Sequence, residues 1–327
     1  MSDEPIPVGV IGVGSMGVHH ARAYAELRGS RLVGVHDANP ERAREVADRH
    51  GTEASAVDDL LGRAAAVSIA VPTAYHYEMA RRAIDRGVAP LVEKPFVGSL
   101  ERGQELIDRA EARDVPLQVG HVERFNPAVR TLADVVPDLE VLAIDARRLG
   151  PPVDRTDEAG VVRDLMIHDL DIALSVVGAE PTSVDAERAS DDRHVTATVG
   201  FENGVAAGFR ASRVTQRKVR TLTVTARDCT VEVDYIDRSI QIHRHSLPEY
   251  VETNGDLRYR HESVIERPTV ENGEPLKAEL RAFLAAVRGE RSPPVSGRDG
   301  LRALALARDV ERAAGSPHGR KRTHEAP

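Results

Sequence analysis

The sequence predicts an α/β protein whose amino-terminal part is a doubly wound parallel sheet, and three observations support this prediction. Short apolar runs alternate with helical segments from residue 8 to residue 120. The first run leads directly into a complete G-x-G-x-x-G motif, and the second run ends at the acidic residue Asp37. This alternation is typical of β-α-β units, which build a parallel sheet with helices on both faces.

The composition is that of a globular protein and excludes several classes of function. The chain has 327 residues, of which 41% are hydrophobic and 29% charged, so it is long enough for two domains. Its formal net charge of -8 argues against nucleic acid as a partner. No apolar run approaches the roughly 20 residues of a membrane helix. The single cysteine, Cys229, cannot form an intrachain disulfide, and we expect a cytoplasmic protein.

The glycine motif between the first strand and the first helix predicts a dinucleotide site of the Rossmann type. Its first glycine permits a tight turn, its second lets the backbone approach a pyrophosphate, and its third allows the helix to pack closely on the strand. Unpaired N–H groups at the start of the helix favour phosphate oxygens. We therefore expect the cofactor to contact Gly12, Gly14, Ser15, Met16 and Gly17.

Asp37, at the end of the second strand, bears on the identity of the cofactor. A carboxylate at this position accepts hydrogen bonds from the adenosine ribose hydroxyls and repels a 2′-phosphate. The next residues, Ala38 and Asn39, supply no arginine to hold such a phosphate, so the sequence favours NAD over NADP. The alternative role of Asp37 is to cap the helix that begins at Pro40.

Lys94 is the first candidate for the chemistry. Lysine occurs only at positions 94, 218, 277 and 321, whereas the other basic positions are arginine, so this ammonium group is an unusual choice for the chain. It follows the predicted strand 90–92, and Pro95 restricts it to an extended backbone. Its ammonium group can hydrogen-bond a reacting hydroxyl and assist its deprotonation. The alternative is a solvated loop lysine.

A second candidate cluster lies on a helix predicted from about residue 160 to residue 177. At about 100° per residue, Asp164, His168 and Asp171 share one face of that helix. A histidine one turn from a carboxylate can be held in one tautomer and can serve as a general base. Two alternatives are a metal site for zinc or manganese and a surface helix with ordinary charges. Because hydride transfer to NAD needs no metal, we expect none.

Four motifs occur together and in a recognisable order. These motifs are Gly12-x-Gly14-x-x-Gly17, Pro72-Thr73-x-x-His76, Glu93-Lys94-Pro95 and Asp164-x-x-x-His168. With them the chain resembles the glucose-fructose oxidoreductase/inositol dehydrogenase/MocA family, and the resemblance extends over essentially its whole length. The glycine-rich lead-in to the last motif is thinned here to residues 160–163.

The resemblance implies a Rossmann domain followed by an α/β domain with an open, mainly antiparallel sheet, which supports the substrate and often an oligomer interface. It implies that Lys94 and His168 are the catalytic pair, and that Asp164 orients His168 and binds the substrate. It also implies NAD as cofactor and a homo-oligomer, a dimer or a tetramer. The further cofactor contacts that it implies are Pro72, Thr73, His76 and Glu93.

The segment from Gly120 to Val129 resembles the corresponding segment of nucleotide-sugar 3-dehydrogenases, which oxidise UDP-N-acetylglucosamine or its uronate at C3. Arg124 is suited to a diphosphate or a carboxylate, and Asn126 to sugar hydroxyls or an acetamido group. Alternatively, Arg124 pairs with an acidic side chain and Asn126 caps a helix. Because no second cation for a uronate is evident, the neutral sugar is favoured.

Two other functions remain open: a free-polyol or inositol dehydrogenase, and a catalytically inactive NAD-binding sensor. A sensor has no need of a general base, which makes it the weaker alternative. The expected domains are residues 1–121 for NAD and residues 122–317 for substrate and oligomerisation, followed by a disordered tail, 318–327. In the second domain, Asn203-Gly204 predicts a β-hairpin.

Overall fold

The computed structural model describes residues 4–152, 160–189, 193–245, 249–253, 256–260 and 262–315. The chain divides into two compact units, which are described one at a time. The first unit contains residues 1–125 and 273–305, and the second contains residues 126–272 and 306–327, each as far as it is described.

The described residues form helices and strands in regular alternation up to residue 120, as predicted. In chain order, the helices are α1 (Gly17–Glu26), α2 (Pro40–His50), α3 (Val57–Leu61), α4 (His76–Asp85), α5 (Leu100–Glu111), α6 (Pro127–Val135), α7 (Ile167–Val177), α8 (Pro275–Val287) and α9 (Gly297–Ala313). The strands are β1 (Ile6–Ile11), β2 (Ser30–His36), β3 (Ala66–Ile69), β4 (Ala89–Glu93), β5 (Gln118–Gly120), β6 (Val141–Leu149), β7 (Pro181–Arg188), β8 (His194–Phe201), β9 (Ala206–Ser212), β10 (Val219–Ala226), β11 (Cys229–Asp234), β12 (Ser239–His245), β13 (Glu249–Thr253), β14 (Asp256–Arg260) and β15 (Ser263–Glu266).

The first unit is built on a five-stranded sheet in the order β2-β1-β3-β4-β5. Every neighbouring pair is parallel, and the four strands β1, β3, β4 and β5 are almost completely buried. In such an open α/β sheet, ligands bind outside the carboxyl ends of the strands, where the strand order reverses. Here the chain reverses at β1, which has β2 on one side and β3 on the other, so the predicted doubly wound sheet is confirmed.

Helix α2 shows how local sequence sets an element's bounds. Proline at its first position, Pro40, has the backbone angle that a helix requires. The side chain of Asn39 accepts hydrogen bonds from the backbone N–H of Glu41 at 2.9 Å and of Arg42 at 3.2 Å. The cap of α2 is therefore Asn39, and the alternative prediction that Asp37 caps this helix is wrong. Gly51, with φ of 62°, ends the helix.

The division into units differs from the expected domain boundaries. Residues 273–305 are grouped with the first unit, although the sequence placed them in the second domain. The reason is apolar burial, because Leu276, Leu280, Phe283 and Leu284 of α8 belong to the core of the first unit. The expected tail, 318–327, lies outside the described residues.

The second unit contains an eight-stranded sheet in the order β15-β12-β11-β10-β6-β9-β8-β7. Its pairs are antiparallel except for β6 and β9, so the mainly antiparallel open sheet is confirmed. The predicted hairpin joins β8 to β9, and Gly204 supplies the left-handed backbone of its turn with φ of 84°. A separate two-stranded sheet pairs β13 with β14.

Candidate active site

The loop after β1 has the three properties that a dinucleotide motif requires. Gly12 has φ of +88°, and a side chain there would lie 2.7 Å from the carbonyl oxygen of Ala70. A Cβ atom at Gly17 would lie 1.8 Å from the carbonyl oxygen of Gly12, so helix and turn can pack only with glycine. Around Gly14, by contrast, no atom lies within 4 Å of the Cβ position. The backbone of Gly14 is thus open to approach by a phosphate.

Asp37 ties the end of β2 to this glycine loop. Its carboxylate accepts hydrogen bonds from the backbone N–H of Val13 at 2.9 Å and of Asn39 at 2.8 Å, and from Nη2 of Arg42 at 2.8 Å. Burial by itself raises the pKa of Asp37, but these hydrogen bonds and the charge of Arg42 outweigh it and lower the pKa below its usual value. Asp37 is therefore a stable carboxylate at neutral pH.

An arginine does lie beside Asp37, although the sequence predicted none there. Residues 38 and 39 supply no arginine, but Arg42, on the first turn of α2, reaches back to Asp37 and forms an ion pair with it at 2.8 Å. Its side chain is 48% exposed, whereas that of Asp37 is 6% exposed. The identity of residue 37 thus decides whether the guanidinium group of Arg42 is neutralised or available.

The loops after β3 and β4 lie at the same edge of the sheet as the glycine motif, because β1, β3 and β4 are parallel neighbours. Pro72 is exposed, and Thr73 is half-buried at the start of a short 3₁₀ turn, Thr73–Tyr75. Lys94 is half-buried and directly follows β4; the bond between Lys94 and Pro95 is cis. These positions are compatible with the predicted contacts of Pro72, Thr73 and Lys94 with cofactor and substrate.

His76, which the sequence assigned to the cofactor, is buried with 1% exposure. One ring nitrogen, Nδ1, lies 2.9 Å from the carbonyl oxygen of Pro95, and the other, Nε2, lies 2.8 Å from that of Val71. Burial lowers the pKa of His76 despite these carbonyl neighbours. The imidazole therefore joins the loop after β3 to the loop after β4, a structural role that the sequence did not reveal.

Glu93, also assigned to the cofactor, belongs to a buried polar network. Its Oε1 atom lies 2.9 Å from Nε2 of His20, whose Nδ1 lies 2.9 Å from the hydroxyl of Ser68. The hydroxyl of Tyr24 continues the network, 3.0 Å from that of Ser68. No motif in the sequence predicted this network. The only available signal was the position of His20 on the first turn of the dinucleotide helix.

The carboxyl group of Glu93 is charged although it is buried. Burial raises its pKa, but the hydrogen bond and electrostatic effect of His20 and the positive charge of Lys94 outweigh this effect, so the pKa lies below its usual value. The neighbouring strand leaves room for the carboxylate, because a Cβ atom at Gly120 would lie 3.0 Å from Oε1 of Glu93.

In the second unit, the segment with the predicted base is not a regular α-helix throughout. Residues Val162–Met166 form a π-helical turn, and α7 begins only at Ile167. Because a π turn has i→i+5 hydrogen bonds, Asp164 and His168 are not separated by the regular α-helical turn that the sequence predicted. Asp164 forms an ion pair with Arg213 of the loop after β9, and His168 is half-buried.

The acidic residues that follow His168 are part of the interior. Asp169 forms a bidentate ion pair with Arg148 of β6: Nε of Arg148 donates to Oδ2 at 2.8 Å, and Nη2 donates to Oδ1 at 2.7 Å. Both side chains are less than 5% exposed. Asp171 is 1% exposed. The third member of the predicted polar face is therefore buried. Among the described residues, no group of three or more His, Cys, Asp or Glu side chains has the geometry of a metal site.

The two residues proposed for the sugar nucleotide have different environments. Arg124 is half-buried in the first unit, and its Nη2 lies 3.9 Å from Oδ1 of Asp299. Asn126 is 4% exposed; it accepts a hydrogen bond from the N–H of Ala128 and donates one to the carbonyl of Tyr235, both at 3.1 Å. Asn126 thus caps α6, which was the alternative prediction, and its sugar-binding role is not supported.

Two protein-family models match the chain, one in each part. Residues 6–121 match the oxidoreductase family with an NAD-binding Rossmann fold, and residues 143–232 match the Gfo/Idh/MocA C-terminal domain. The chain belongs to the Gfo/Idh/MocA oxidoreductase family, which confirms the resemblance carried by its four motifs. Among the described helices, none is long and apolar enough to span a membrane.

Individual enzymes of known activity are similar to this chain over nearly their whole length. The chain is 36% identical to UDP-N-acetylglucosamine 3-dehydrogenase of Acidithiobacillus ferrooxidans, with 92% of this chain and 95% of the relative covered. A solved structure of that enzyme superimposes with a TM-score of 0.87 at 34% identity, covering 95% of this chain and 97% of the other. Inositol 2-dehydrogenase of Rhizobium meliloti is 30% identical, over 91% of this chain and 94% of the relative.

The glycine loop generates a test that separates binding from folding. We expect Gly14→Ala to fold with nearly unchanged stability, because its Cβ position is open, yet to bind dinucleotide at least about tenfold more weakly because the methyl group occupies the approach of the pyrophosphate. Gly17→Ala should lower the free energy of unfolding by about 2 to 4 kcal/mol. Urea denaturation and NADH fluorescence titration measure the two effects. Unchanged dinucleotide affinity in Gly14→Ala would contradict the assignment.

Proposed function

We propose that this protein is an NAD-dependent dehydrogenase that oxidises a secondary hydroxyl of a sugar, and that its substrate is UDP-N-acetylglucosamine, oxidised at C3 to a 3-keto sugar nucleotide. The observation that carries the proposal is the position of Lys94. It directly follows β4 at the edge of the sheet where the open backbone of Gly14 offers a dinucleotide site. The identity with the A. ferrooxidans enzyme supports the choice of substrate.

Each side chain has a defined task in the proposed reaction. His168 removes the proton from the sugar hydroxyl as general base, and the ammonium group of Lys94 donates a hydrogen bond to the oxygen and stabilises its developing negative charge. Asp164 contributes a carboxylate that orients the base and binds substrate. When bound, NAD supplies the acceptor for the hydride that leaves the carbon.

The cofactor would be held by Gly12, Gly14, Ser15, Met16 and Gly17 at its pyrophosphate and by Asp37 at its ribose. The open Cβ position at Gly14 and the left-handed turn at Gly12 fit such a group. NAD is preferred over NADP because the carboxylate of Asp37 would repel a 2′-phosphate and already neutralises Arg42.

Arg124 is the residue we assign to the diphosphate of the sugar nucleotide. Its guanidinium group is half-buried, and its distance of 3.9 Å from Asp299 is longer than a hydrogen bond. Because a guanidinium group can bind phosphate oxygens with two parallel hydrogen bonds, Arg124 is suited to a diphosphate. The neutral sugar is preferred over its uronate, since no second cation is assigned to a C6 carboxylate.

A free-polyol or inositol dehydrogenase is the second candidate, and the 30% identity with the R. meliloti inositol 2-dehydrogenase favours it. It would use the same lysine and histidine but would have no diphosphate to bind. The two candidates therefore differ in their need for Arg124. The intact Lys94, Asp164 and His168 argue against a catalytically inactive sensor.

We further propose a cytoplasmic homo-oligomer, a dimer or a tetramer. The eight-stranded sheet has one face that carries Asp145, Arg147 and Arg210, all exposed in the single chain, and this face is the proposed contact between copies. The buried free thiol of Cys229 is compatible with a reducing compartment.

A substrate panel tests the reaction and the role of Lys94 together. With NAD and UDP-N-acetylglucosamine, its uronate, myo-inositol and other free polyols, NADH absorbance should rise most strongly with UDP-N-acetylglucosamine. Lys94→Ala should lower kcat by about 100-fold to 10,000-fold and leave NADH affinity nearly unchanged. Lys218→Ala, which removes an exposed lysine, is the matched control. Retained turnover in Lys94→Ala would refute the proposed mechanism.

The Asp37–Arg42 pair predicts how cofactor preference can be changed. Asp37→Ser should weaken NAD binding about tenfold, because hydrogen bonds to a charged group are lost, and should improve NADP binding because Arg42 becomes available. In the double variant Asp37→Ser/Arg42→Ala, the gain for NADP should disappear while the loss for NAD remains. Kd values from fluorescence titration with both cofactors provide the measurement. An NADP gain that survives removal of Arg42 would disprove this role.

Arg124 distinguishes the two candidate substrates. Arg124→Ala should raise KM for a UDP-sugar about 10-fold to 100-fold and should change KM for a free polyol little, since only the former has phosphates to bind. Arg130→Ala, an exposed arginine on α6, serves as control. If Arg124→Ala affects both substrates equally, its assignment to the diphosphate is incorrect.

A further inference from the structure

The Glu93-Lys94-Pro95 segment is held on both sides of Lys94 by a buried histidine. Before Lys94, His20 of α1 reaches the carboxylate of Glu93 at 2.9 Å. After it, Nδ1 of His76 lies 2.9 Å from the carbonyl oxygen of Pro95. We propose that His20 is a positioning residue of the reaction, which acts through Glu93 to hold Lys94. The inference rests on the proposed function, in which Lys94 meets the substrate hydroxyl.

The carboxylate of Glu93 connects the imidazole to the backbone of the lysine. Its Oε1 atom lies 2.9 Å from Nε2 of His20, and its Oε2 atom accepts the backbone N–H of Lys94 at 3.3 Å. Since an ionised carboxylate can only accept hydrogen bonds, Nε2 of His20 is the donor. Each of the two carboxylate oxygens thus has a defined donor, and rotation of the group would break both contacts.

His20 is itself fixed from behind. Its side chain is completely buried, and its Nδ1 lies 2.9 Å from the hydroxyl of Ser68 on β3. The hydroxyl of Tyr24, one turn further along α1, contacts the same Ser68 oxygen at 3.0 Å. When both ring nitrogens of a buried histidine have hydrogen-bonding partners, the orientation of the imidazole ring is fixed. Helix α1 and strand β3 therefore supply a rigid support for Glu93.

The charged and titratable groups that face Glu93 are His20 from α1, His76 from α4, and Lys94 in its own loop. Burial raises the pKa of Glu93, and these neighbours, His20 first, reverse that effect and lower it. When His20 is replaced by an apolar residue, burial dominates and the pKa of Glu93 rises. Glu93 then becomes protonated at a higher pH, and activity that needs its charge is lost as the pH falls through this raised value.

The experiment compares His20→Leu with His20→Gln in the full-length enzyme. Leucine removes the donor, whereas the glutamine amide can still donate to Glu93. We expect His20→Leu to lower kcat about 10-fold to 100-fold with KM changed less than about threefold, and to move the acid limb of the kcat profile upward by about one pH unit or more. His20→Gln should restore both kcat and the profile to within about threefold and 0.3 pH unit of the unmodified enzyme.

Thr52→Ala is the matched control. It removes a hydroxyl of the same unit that donates to the carbonyl oxygen of Leu32 at 2.9 Å, outside the network around Glu93, so it should leave kcat and the pH profile unchanged. Should His20→Leu fail to fold, His20→Asn replaces it, because the shorter amide cannot reach Glu93 from the same backbone. Unmodified kcat and pH profile in a folded, NADH-binding His20→Leu or His20→Asn enzyme would overturn the inference. Equal loss in His20→Gln, without a pH shift, would assign His20 to packing alone and overturn it as well.

A second readout needs no substrate. Acylation of lysines by acetic anhydride, followed by mass spectrometry, compares the reactivity of Lys94 with that of exposed Lys218 in the other unit. In His20→Leu, Lys94 should react at least about threefold faster relative to Lys218, because its loop is released and the neighbouring negative charge is weakened. An unchanged ratio would refute the positioning role of His20. Failure of the sugar panel alone would instead refute the proposed function.

Discussion

A carboxylate that is nearly removed from water must be compensated by donors and positive charge, and Glu93 at the end of β4 imposes this requirement on the first unit. Its compensation comes from His20, which in turn is oriented by Ser68. A glycine, Gly120, leaves space for it on the next strand. One buried charge thereby fixes the relation between α1, β3, β4 and β5, the same elements that carry the cofactor loop and Lys94.

Asp37 illustrates the same principle closer to the surface. It is held by two backbone N–H groups and by Arg42, so the acid at the end of β2 is preorganised and ionised before any ribose arrives. The two carboxylates have different consequences. Asp37 keeps the glycine loop and β2 in register for binding, whereas Glu93 holds the segment to which we assign the chemistry. The role assigned to each carboxylate follows from its hydrogen-bond partners, since the two side chains carry the same chemical group.

Patterns with local causes were predictable from the sequence. The glycine spacing predicted the loop after β1, because only residues without a Cβ atom permit the observed turn and close packing at Gly12 and Gly17. Proline and glycine marked both ends of α2, and Asn203-Gly204 marked a hairpin. The strand order of the parallel sheet follows a common arrangement, so the alternation of strands and helices was sufficient to predict its class.

The sequence by itself therefore determined the class of fold, the dinucleotide loop and the identity of the candidate residues, since these follow from short-range backbone sterics and from motif order. Only the tertiary structure decided what several of those side chains touch. His76 and Glu93 turned out to be buried supports, Asn126 a helix cap, and Asp164 a partner of Arg213 within a π turn. The packing of α8 into the hydrophobic core of the first unit was likewise not predictable from the sequence. The physical reason is that hydrogen-bond partners and burial depend on residues far apart in the chain, 73 positions for His20 and Glu93 and 109 positions for Asn126 and Tyr235. No local pattern predicts which of these residues meet.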